Sequence, residues 1–185
     1  MFIQTETTPN PATMKFLPGR AVLAGTTRDY RDVAAAGESP LAGRLFEIEG
    51  VSGVYLADDF IAVTKDGGEW QHLKPAVLGA IMDHYLSDEP TVIDPASGGD
   101  APAEFFEETD AATVATIKEL IETRVRPAVA QDGGDIIFRG YADGVVFLHM
   151  RGACSGCPSS TMTLKQGIEN LLRHFVPDVT EVRPV

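Results

Sequence analysis

What is scarce in this chain limits what the protein can be. Only two of its 185 residues are cysteines, too few to build the disulfide framework of a small secreted protein. No stretch of about 18 apolar residues occurs, so we predict no membrane-spanning helix and no membrane partner. The first residues lack the basic and apolar segments of a secretory signal and the arginines of a transit peptide. We therefore expect a reducing compartment, in which the two thiols are available for metal binding or redox chemistry.

Positive charge is also scarce. Lysine and arginine together number 15, against 27 aspartates and glutamates, which leaves a formal net charge of −12 at pH 7. A chain this acidic repels the phosphate backbone of nucleic acids, and we expect no nucleic-acid partner. The apolar share of 44% is that of an ordinary globular protein, so we expect a packed core.

One segment in the middle of the chain differs in composition from the rest. Residues 88–111 are rich in proline, glycine, alanine and acidic residues and contain no lysine or arginine. Such a sequence buries little apolar surface, and we predict a flexible acidic linker between two small domains, 1–87 and 112–185. Phe105 and Phe106 are the exception within it, because two adjacent aromatic side chains either rest loosely on one domain or form a short motif that a partner binds.

The first domain has the pattern of a mixed α/β fold. We expect a hairpin at the N terminus, a short helix capped by Ser39, and two strands joined by a tight turn. Apolar residues at helical spacing predict a further helix over residues 70–86. No residues in this domain have the spacing of a catalytic or metal site, and we interpret His72 and His84 as surface or boundary residues.

The second domain shows the order helix, strand, strand, helix, strand. The predicted elements are a helix with an apolar face from Val114 to Val125 that ends close to Pro127, strands over 136–141 and 145–150, a helix with an apolar face from Leu164 to Phe175, and a strand over 179–182. An Asp-Gly turn joins the first two strands into a hairpin. The chain is thus predicted to be an α+β protein of two small domains, the C-terminal one arranged α-β-β-α-β. Both cysteines fall where the second of these strands passes into a helix.

Cys154 and Cys157 are separated by two residues, and this spacing lets two thiolates reach one metal site from a tight loop. Pro158 suits the first turn of the following helix, which would put Cys157 at the helix N-terminus. The free amides and the positive end of the helix dipole there favour a thiolate, and Arg151 adds positive charge. We therefore expect a site for dense negative charge on sulfur. The neighbouring hydroxyl groups that can donate hydrogen bonds to sulfur belong to Ser155, Ser159 and Ser160.

Neither cysteine lies on one of the predicted apolar faces. We therefore expect that replacing Cys154 or Cys157 abolishes metal binding and leaves the stability of the fold near its original value. In the metal-free protein we expect residues 152–158 to form a flexible loop, with no disulfide between the two thiols.

Three interpretations of the cysteine pair compete. The first is a dithiol–disulfide enzyme of thioredoxin type, in which a Cys-x-x-Cys motif also opens a helix. Only 28 residues follow Cys157, whereas that fold needs two more strands and another helix after its motif.

The second is a structural zinc ion in an adaptor module, for which two thiolates supply half of a tetrahedral site. His149 and His174 are further candidate ligands but are not expected near the cysteines, and zinc shared by two chains stays open.

The third interpretation is an iron–sulfur cluster shared by two chains. A [4Fe–4S] cluster takes four cysteine ligands, and one chain offers two. Two copies of the loop that face each other across a two-fold axis supply all four. A cluster at such a small interface near solvent should be labile, which suits carrying and handing over a cluster better than permanent electron transfer. No catalytic triad, phosphate-binding loop or acid–base pair indicates an enzyme.

Two parts of the sequence resemble a known family. The segments QDGGDI and RGACSGCPSSTMTLKQGIENLL, residues 131–136 and 151–172, closely resemble the C-terminal domain of NifU and Nfu-type iron–sulfur scaffold and carrier proteins. The start of the chain, MFIQTETTPNPATMKFLPG, is similar to the N-terminal domain of the Nfu subfamily found in mitochondria and their bacterial relatives. The two domains follow the family's order, and the resemblance covers most of the chain outside the linker.

The resemblance implies both a function and a site. Members of the family assemble or carry [4Fe–4S] clusters, receive them from upstream assembly proteins and deliver them to apo-proteins such as lipoyl synthase and respiratory-type enzymes. The resemblance also implies that Cys154 and Cys157 are the cluster ligands, in a homodimer when loaded, and that the cluster is [4Fe–4S] rather than [2Fe–2S]. The N-terminal domain has no ligand in the family, and we expect it to dock clients or partners. The protein is accordingly expected not to be an enzyme.

The expected location follows from the first residues. The chain begins with a methionine directly before the first domain, with no presequence. From this we expect a bacterial cytoplasmic protein, with a protein of the mitochondrial matrix as the second choice.

Overall fold

A computed structural model gives the fold. It describes residues 1–94, 103–155 and 158–185, without the side chains of 158–160. The chain divides into two compact units, Met1–Gly99 and Asp100–Val185. Both units mix helices with strands, which confirms the predicted α+β fold. Part of the predicted linker, residues 95–102, lies outside the described residues. No helix in the described ranges is long and apolar enough to cross a membrane.

The first unit is built on a five-stranded antiparallel sheet. The strands are β1 (Gln4–Thr7), β2 (Thr13–Leu17), β3 (Arg28–Tyr30), β4 (Val51–Leu56) and β5 (Ile61–Lys65). Across the sheet they follow the order β1-β2-β5-β4-β3. The hairpin predicted at the N terminus is the pair β1–β2, and the predicted tight turn joins the antiparallel pair β4–β5.

Two helices share one apolar core with this sheet, α1 (Pro40–Phe46) and α2 (Trp70–Leu86). Ser39 caps α1 as predicted, since its hydroxyl oxygen accepts a hydrogen bond from the amide of Ala42 at 3.1 Å. The helix predicted over residues 70–86 is confirmed as α2. The largest fully buried apolar side chains of the core are Phe16, Leu41, Leu45, Leu56, Ile61 and Ile81.

His84 lies in this core, contrary to the expectation of a surface or boundary residue. It is 1% exposed, and its ring stands edge-on to the ring of Tyr85 with 5.2 Å between the centroids. Neither ring nitrogen has a hydrogen-bond partner within the described parts of the chain. Burial, followed by the positive charge of Arg44, lowers the pKa of His84 because both disfavour the imidazolium. His72 is exposed, as expected.

The second unit has the predicted order α-β-β-α-β. Its first helical segment consists of α3 (Ala111–Leu120), a π-helical turn (Ile121–Val125) and α4 (Arg126–Gln131). The elements that follow are β6 (Gly134–Ala142), β7 (Val145–Gly152), α5 (Pro158–Phe175) and β8 (Glu181–Pro184). β6 and β7 form the predicted antiparallel hairpin, and β8 pairs with β7 in parallel, which gives the sheet order β6-β7-β8.

Several boundaries in this unit differ from the predictions: β6 begins two residues earlier, β7 ends two residues later, and the first helix and the last strand are also shifted. The first helical segment continues past Pro127. After the π-helical turn, α4 begins at Arg126 and ends at Gln131. Pro127 then occupies the first turn of α4, where the missing N–H of a proline is tolerated. The last strand begins at Glu181, two residues later than predicted, because Val179 closes a turn after α5 and is buried in the core.

One apolar core joins the sheet of the second unit to its helices. Fully buried side chains from α3, the π-helical turn, β6, β7 and α5 are Ile117, Ile121, Ile136, Leu148 and Leu172, respectively. Cys154 belongs to the same buried cluster. The core therefore extends to the junction between β7 and α5, where the sequence places both cysteines.

Replacing His84 by leucine should flatten the pH dependence of the first unit's stability between about pH 7 and pH 5. Below the ordinary histidine pKa of about 6.5, the unfolded chain binds a proton that the folded chain, with its lowered pKa, does not bind. The free energy of unfolding of the wild type should therefore fall as the pH falls, by up to about 1.4 kcal/mol per pH unit. Urea titrations that follow the fluorescence of Trp70, the only tryptophan, measure this change.

His72→Leu is the matched control, because His72 is exposed on the same helix. This variant should keep the slope of the wild type over the same pH range. If His84→Leu kept that slope as well, a group other than His84 would be responsible for it.

Candidate metal centre

Cys154 lies in a hydrogen-bonded turn directly after β7. Its amide donates to the carbonyl oxygen of Arg151 at 3.3 Å, and the amide of Ser155 donates to that of Gly152 at 3.1 Å. The hydroxyl of Ser155 donates to the same Gly152 oxygen at 2.9 Å. The part of the predicted flexible loop that the structure describes is therefore an ordered turn, because its amides are bonded to the end of β7.

Two adjacent glycines hold this turn against the start of β6. Gly133 has φ +79°, which glycine adopts without strain, and its carbonyl oxygen accepts a hydrogen bond from the amide of Ala153 at 3.1 Å. Gly134 leaves room for the turn, since a Cβ atom there would overlap the sulfur of Cys154 and lie 3.0 Å from the amide nitrogen of the same cysteine. No local signal in the sequence indicates that the thiol of Cys154 packs on the backbone of Gly134.

The thiol of Cys154 is part of the apolar core, with the residue 5% exposed. Burial, reinforced by the charges of Asp132 and Asp135, raises the pKa of the thiol to about 12, and a hydrogen bond from the backbone of Asp135 offsets only part of this. For Cys154 the expectation of surroundings that favour the thiolate is therefore wrong. Cys154 is also a member of the apolar core, contrary to the reason for which its replacement was expected to leave stability unchanged.

The second cysteine, Cys157, lies outside the described residues together with Gly156. In the sequence Cys157 directly precedes Pro158, at which α5 begins as predicted. The side chains of the two further predicted hydroxyl donors, Ser159 and Ser160, are likewise outside the described set. The proximity of Cys157 to Cys154 thus follows from their spacing in the sequence alone.

Thr161, in the first turns of α5, was not singled out by the sequence pattern. Its hydroxyl donates a hydrogen bond to the carbonyl oxygen of Cys154 at 3.2 Å. This bond ties the start of the helix to the turn that carries the thiol. A threonine near a helix start is common, so its sequence position alone gave no signal of this role.

Arg126 in α4 forms an ion pair with Asp135, which lies in β6 directly after Gly134. Arg126 donates hydrogen bonds to both carboxylate oxygens of Asp135, at 2.8 and 3.0 Å, and to both of Glu122, at 2.8 and 3.0 Å. Asp135 is buried, and its hydrogen bonds with Arg126 raise the pKa of the guanidinium, which stays charged. This pair fixes the strand on which Cys154 packs, and the sequence pattern did not single out Asp135 for this role.

The described residues offer no complete set of metal ligands. No group of three or more histidine, cysteine, aspartate or glutamate side chains in the described ranges is placed to hold one ion. His149 lies in β7, where its Nδ1 is 3.0 Å from the carbonyl oxygen of Val185, and His174 stands edge-on to Phe175. Neither histidine therefore joins Cys154 in a zinc site within the described part of one chain.

The donors at this turn are those of a sulfur-ligated metal site. The described residues supply one free thiol, and the sequence adds the thiol of Cys157. The Nε of Arg151 is buried and has no hydrogen-bond acceptor within the parts of the chain that the structure describes. A buried cationic donor without an acceptor suits an anionic group, and two thiols are a partial ligand set for zinc or for an iron–sulfur cluster.

Two family models match the chain. One, described as "Scaffold protein Nfu/NifU N terminal", matches residues 3–88, and the other, "NifU-like domain", matches residues 117–183. The chain belongs to the Nfu family of iron–sulfur cluster scaffold proteins. The second match includes the cysteine turn and the two glycines that support it, so the Nfu family resemblance predicted from the sequence is confirmed.

Nfu relatives align along the whole chain. The human protein named "NFU1 iron-sulfur cluster scaffold homolog, mitochondrial" is 48% identical over 187 residues, which is 100% of this chain and 72% of the human protein. The protein of the same name from Drosophila sechellia is 49% identical over 100% of this chain and 65% of its own length. The chain therefore spans about two thirds of the length of these relatives.

Two solved structures show a partial likeness. The solution NMR structure of a NifU-like protein from Saccharomyces cerevisiae covers 50% of this chain and 84% of its own, with 26% identity and a TM-score of 0.46. The crystal structure of a Staphylococcus aureus protein covers 44% of this chain and 99% of its own, with 26% identity and a TM-score of 0.38. At these TM-scores the likeness adds nothing to the fold described above.

The names of the Nfu relatives correct the expected location. Both the human and the fly protein are named as mitochondrial, whereas the sequence analysis favoured the bacterial cytoplasm. The expectation of a bacterial cytoplasmic protein is wrong. It was based on where the chain begins, and the first residue does not identify a compartment.

Gly134→Ala should disturb the cysteine turn. The added methyl group would overlap the sulfur of Cys154, so we expect the free energy of unfolding of the second unit to fall by about 1–3 kcal/mol and iron loading to weaken. Gly167→Ala is the matched control, because a Cβ atom there meets nothing within 4 Å. Within α5 this control should leave stability unchanged or raise it by up to about 1 kcal/mol. Urea unfolding followed by circular dichroism, together with iron analysis, gives both readouts.

A double variant tests whether the effect of Gly134→Ala passes through the thiol. In a chain that also carries Cys154→Ala, Gly134→Ala should lower the free energy of unfolding by less than it does in the wild type. The reason is that the shorter side chain at position 154 removes the overlap. If the two changes added independently in such a cycle, the contact between Gly134 and the sulfur would not be the cause.

Proposed function

We propose that this Nfu protein is a carrier that holds a [4Fe–4S] cluster between two chains through Cys154 and Cys157 and passes it to apo-proteins. One observation carries the proposal: Cys154 is a free thiol at the junction of β7 and α5, and the only other thiol of the chain follows after two residues. A [4Fe–4S] cluster takes four cysteine ligands, so each chain supplies half of them and a second copy supplies the rest.

The burial of Cys154 supports transfer over permanent binding. The thiol of Cys154 packs in the apolar core, so ligation of iron would exchange core contacts for bonds to the metal. Release of the cluster would restore the contacts of the turn with β6. This packing would therefore compete with the cargo for the same thiol, which lowers the affinity of the carrier and favours transfer to a client with a preformed site.

In the proposed role the chain binds and releases a cluster and catalyses no reaction of a substrate. Its partners are the proteins that deliver the cluster and the apo-proteins that accept it, which by family resemblance include lipoyl synthase-like and respiratory-type enzymes. We assign partner docking to the first unit. Because the relatives are named as mitochondrial, we propose the same organelle for this chain.

The two other interpretations of the cysteine pair have less support. A dithiol–disulfide enzyme needs an exposed, ionised attacking thiol, and Cys154 is buried with a raised pKa. A zinc-stabilised adaptor needs two ligands beyond the cysteines, and the described residues of one chain supply no such group. Metal analysis and the visible absorption of protein purified without oxygen distinguish zinc from an iron–sulfur cluster.

Anaerobic reconstitution should load about four iron and four sulfide ions per two chains, and only the loaded protein should be dimeric. Iron and sulfide analysis combined with light scattering measures both quantities, and Mössbauer spectroscopy identifies the cluster type. Cys154→Ser and Cys157→Ser should each abolish loading. Gly167→Ala, which keeps both thiols and the turn, should load as the wild type does. A single chain that holds a complete cluster would contradict the shared site.

A further inference from the structure

A short segment of the predicted linker lies along the open edge of β6. This segment, Glu104–Phe106, which we call the strap, precedes α3 and falls outside the ranges that the two family models match. Phe105 forms a parallel bridge with Gly140. The amide of Phe105 donates to the carbonyl oxygen of Arg139 at 3.1 Å, and the amide of Tyr141 donates to that of Phe105 at 2.9 Å. The strap therefore adds one paired residue to an edge strand.

The ring of Phe105 lies in a cradle formed by β6 and β7. It covers Gly140, where a Cβ atom would overlap the ring, and its centroid is 5.1 Å from that of the Phe147 ring. Gly140 and Phe147 are paired residues in the register of the two strands, so the cradle is a property of the sheet itself. Gly140 does not have a positive φ, which means that the ring, and not the backbone conformation, requires a glycine there.

The rim of this cradle favours an acidic residue next to the aromatic one. Nζ of Lys118 is 2.9 Å from both carboxylate oxygens of Glu104 and 6.0 Å from the centre of the Phe138 ring. A cavity of about 60 Å³ continues between α3 and β6, lined in part by Ile137 and Arg126. The edge thus has backbone groups, an aromatic cradle and one lysine, Lys118, that pairs with the acidic residue of an extended segment.

The strap is held weakly. Only one of its residues pairs with β6, and Phe105 and Phe106 remain 48% and 41% exposed. The ion pair between Glu104 and Lys118 lies at the surface, where such pairs contribute about 0–1 kcal/mol. A longer segment of the same chemistry would make more backbone hydrogen bonds to β6 and would displace the strap.

We propose that the edge of β6 around Gly140 is a docking site for an extended acidic–aromatic segment of a partner protein, which binds by β-strand addition. In the free chain the strap occupies this site and competes with the partner segment. Because the strap belongs to the same chain, its effective concentration is high, and a partner segment has to bind tightly enough to displace it. The same strand begins at Gly134, on which the sulfur of Cys154 packs. A docked partner is therefore bound to the strand that supports the cysteine turn.

A labelled peptide of sequence AEFFEET, residues 103–109, tests this proposal with the full-length chain in the absence of iron. Phe105→Ala empties the cradle, and this variant should bind the peptide at least about tenfold more tightly than the wild type in fluorescence anisotropy. Gly140→Ala also releases the strap but fills the cradle, so it should show no such gain. Phe106→Ala is the matched control and should bind as the wild type does.

Hydrogen exchange shows whether these variants release the strap without unfolding. The amide of Tyr141 should exchange faster in Phe105→Ala and Gly140→Ala, while the remainder of the sheet stays protected. Should Phe105→Ala fail to fold, Glu104→Lys provides a second variant, because it repels Lys118 and leaves the cradle intact. The peptide with its first phenylalanine replaced by alanine should bind none of the chains.

Three results would overturn the proposal. The first is that Phe105→Ala binds the peptide no more tightly than the wild type, and the second is that Gly140→Ala binds it as tightly as Phe105→Ala. The third is that Phe105→Ala dimerises without peptide in light scattering, which would show that the edge pairs with a second copy. Because iron is absent throughout, none of these results depends on the proposed cluster.

Discussion

The close approach of the Cys154 sulfur to the backbone of Gly134 is the contact on which the rest of the site depends. A side chain at position 134 would occupy the space of the thiol, so the strand has to carry a glycine there. The neighbouring Gly133 accepts the amide of Ala153, and Asp135 is held by Arg126 from α4. Three consecutive residues of one strand and its preceding turn thus place the thiol at the edge of the core.

This contact links the stability of the second unit to the proposed cargo. The thiol of Cys154 is buried in the apolar core, where it contributes to the stability of the unit. In the proposed role, loading would exchange these core contacts for metal ligation, and unloading would restore them. A permanent electron-transfer site gains from a rigid, preformed ligand set, whereas a carrier gains from a ligand set whose release is compensated by folding contacts.

β6 contains a second glycine, Gly140, whose missing side chain makes room for a neighbouring group. The group that uses this room differs from the one at Gly134. Gly134 makes room for a thiol from the turn after β7, whereas Gly140 makes room for the ring of Phe105 from the segment before α3. An open sheet edge offers unpaired backbone groups, and proteins cover such edges with charges, loops or short added segments. Here the covering segment contributes one paired residue and a half-exposed ring, so the edge is protected but remains accessible to a competing segment.

The sequence by itself determined the order of the elements, the α+β fold class and the place of the cysteine pair between a strand and a helix. Apolar periodicity, turn residues and the Cys-x-x-Cys spacing are all signals between residues close together in the chain. Only the tertiary structure decided that His84 and Cys154 are buried and that Phe105 rests on Gly140. Burial and contact depend on residues that are far apart in sequence, and a histidine, a thiol or a glycine carries the same local signal whether or not such a neighbour is present.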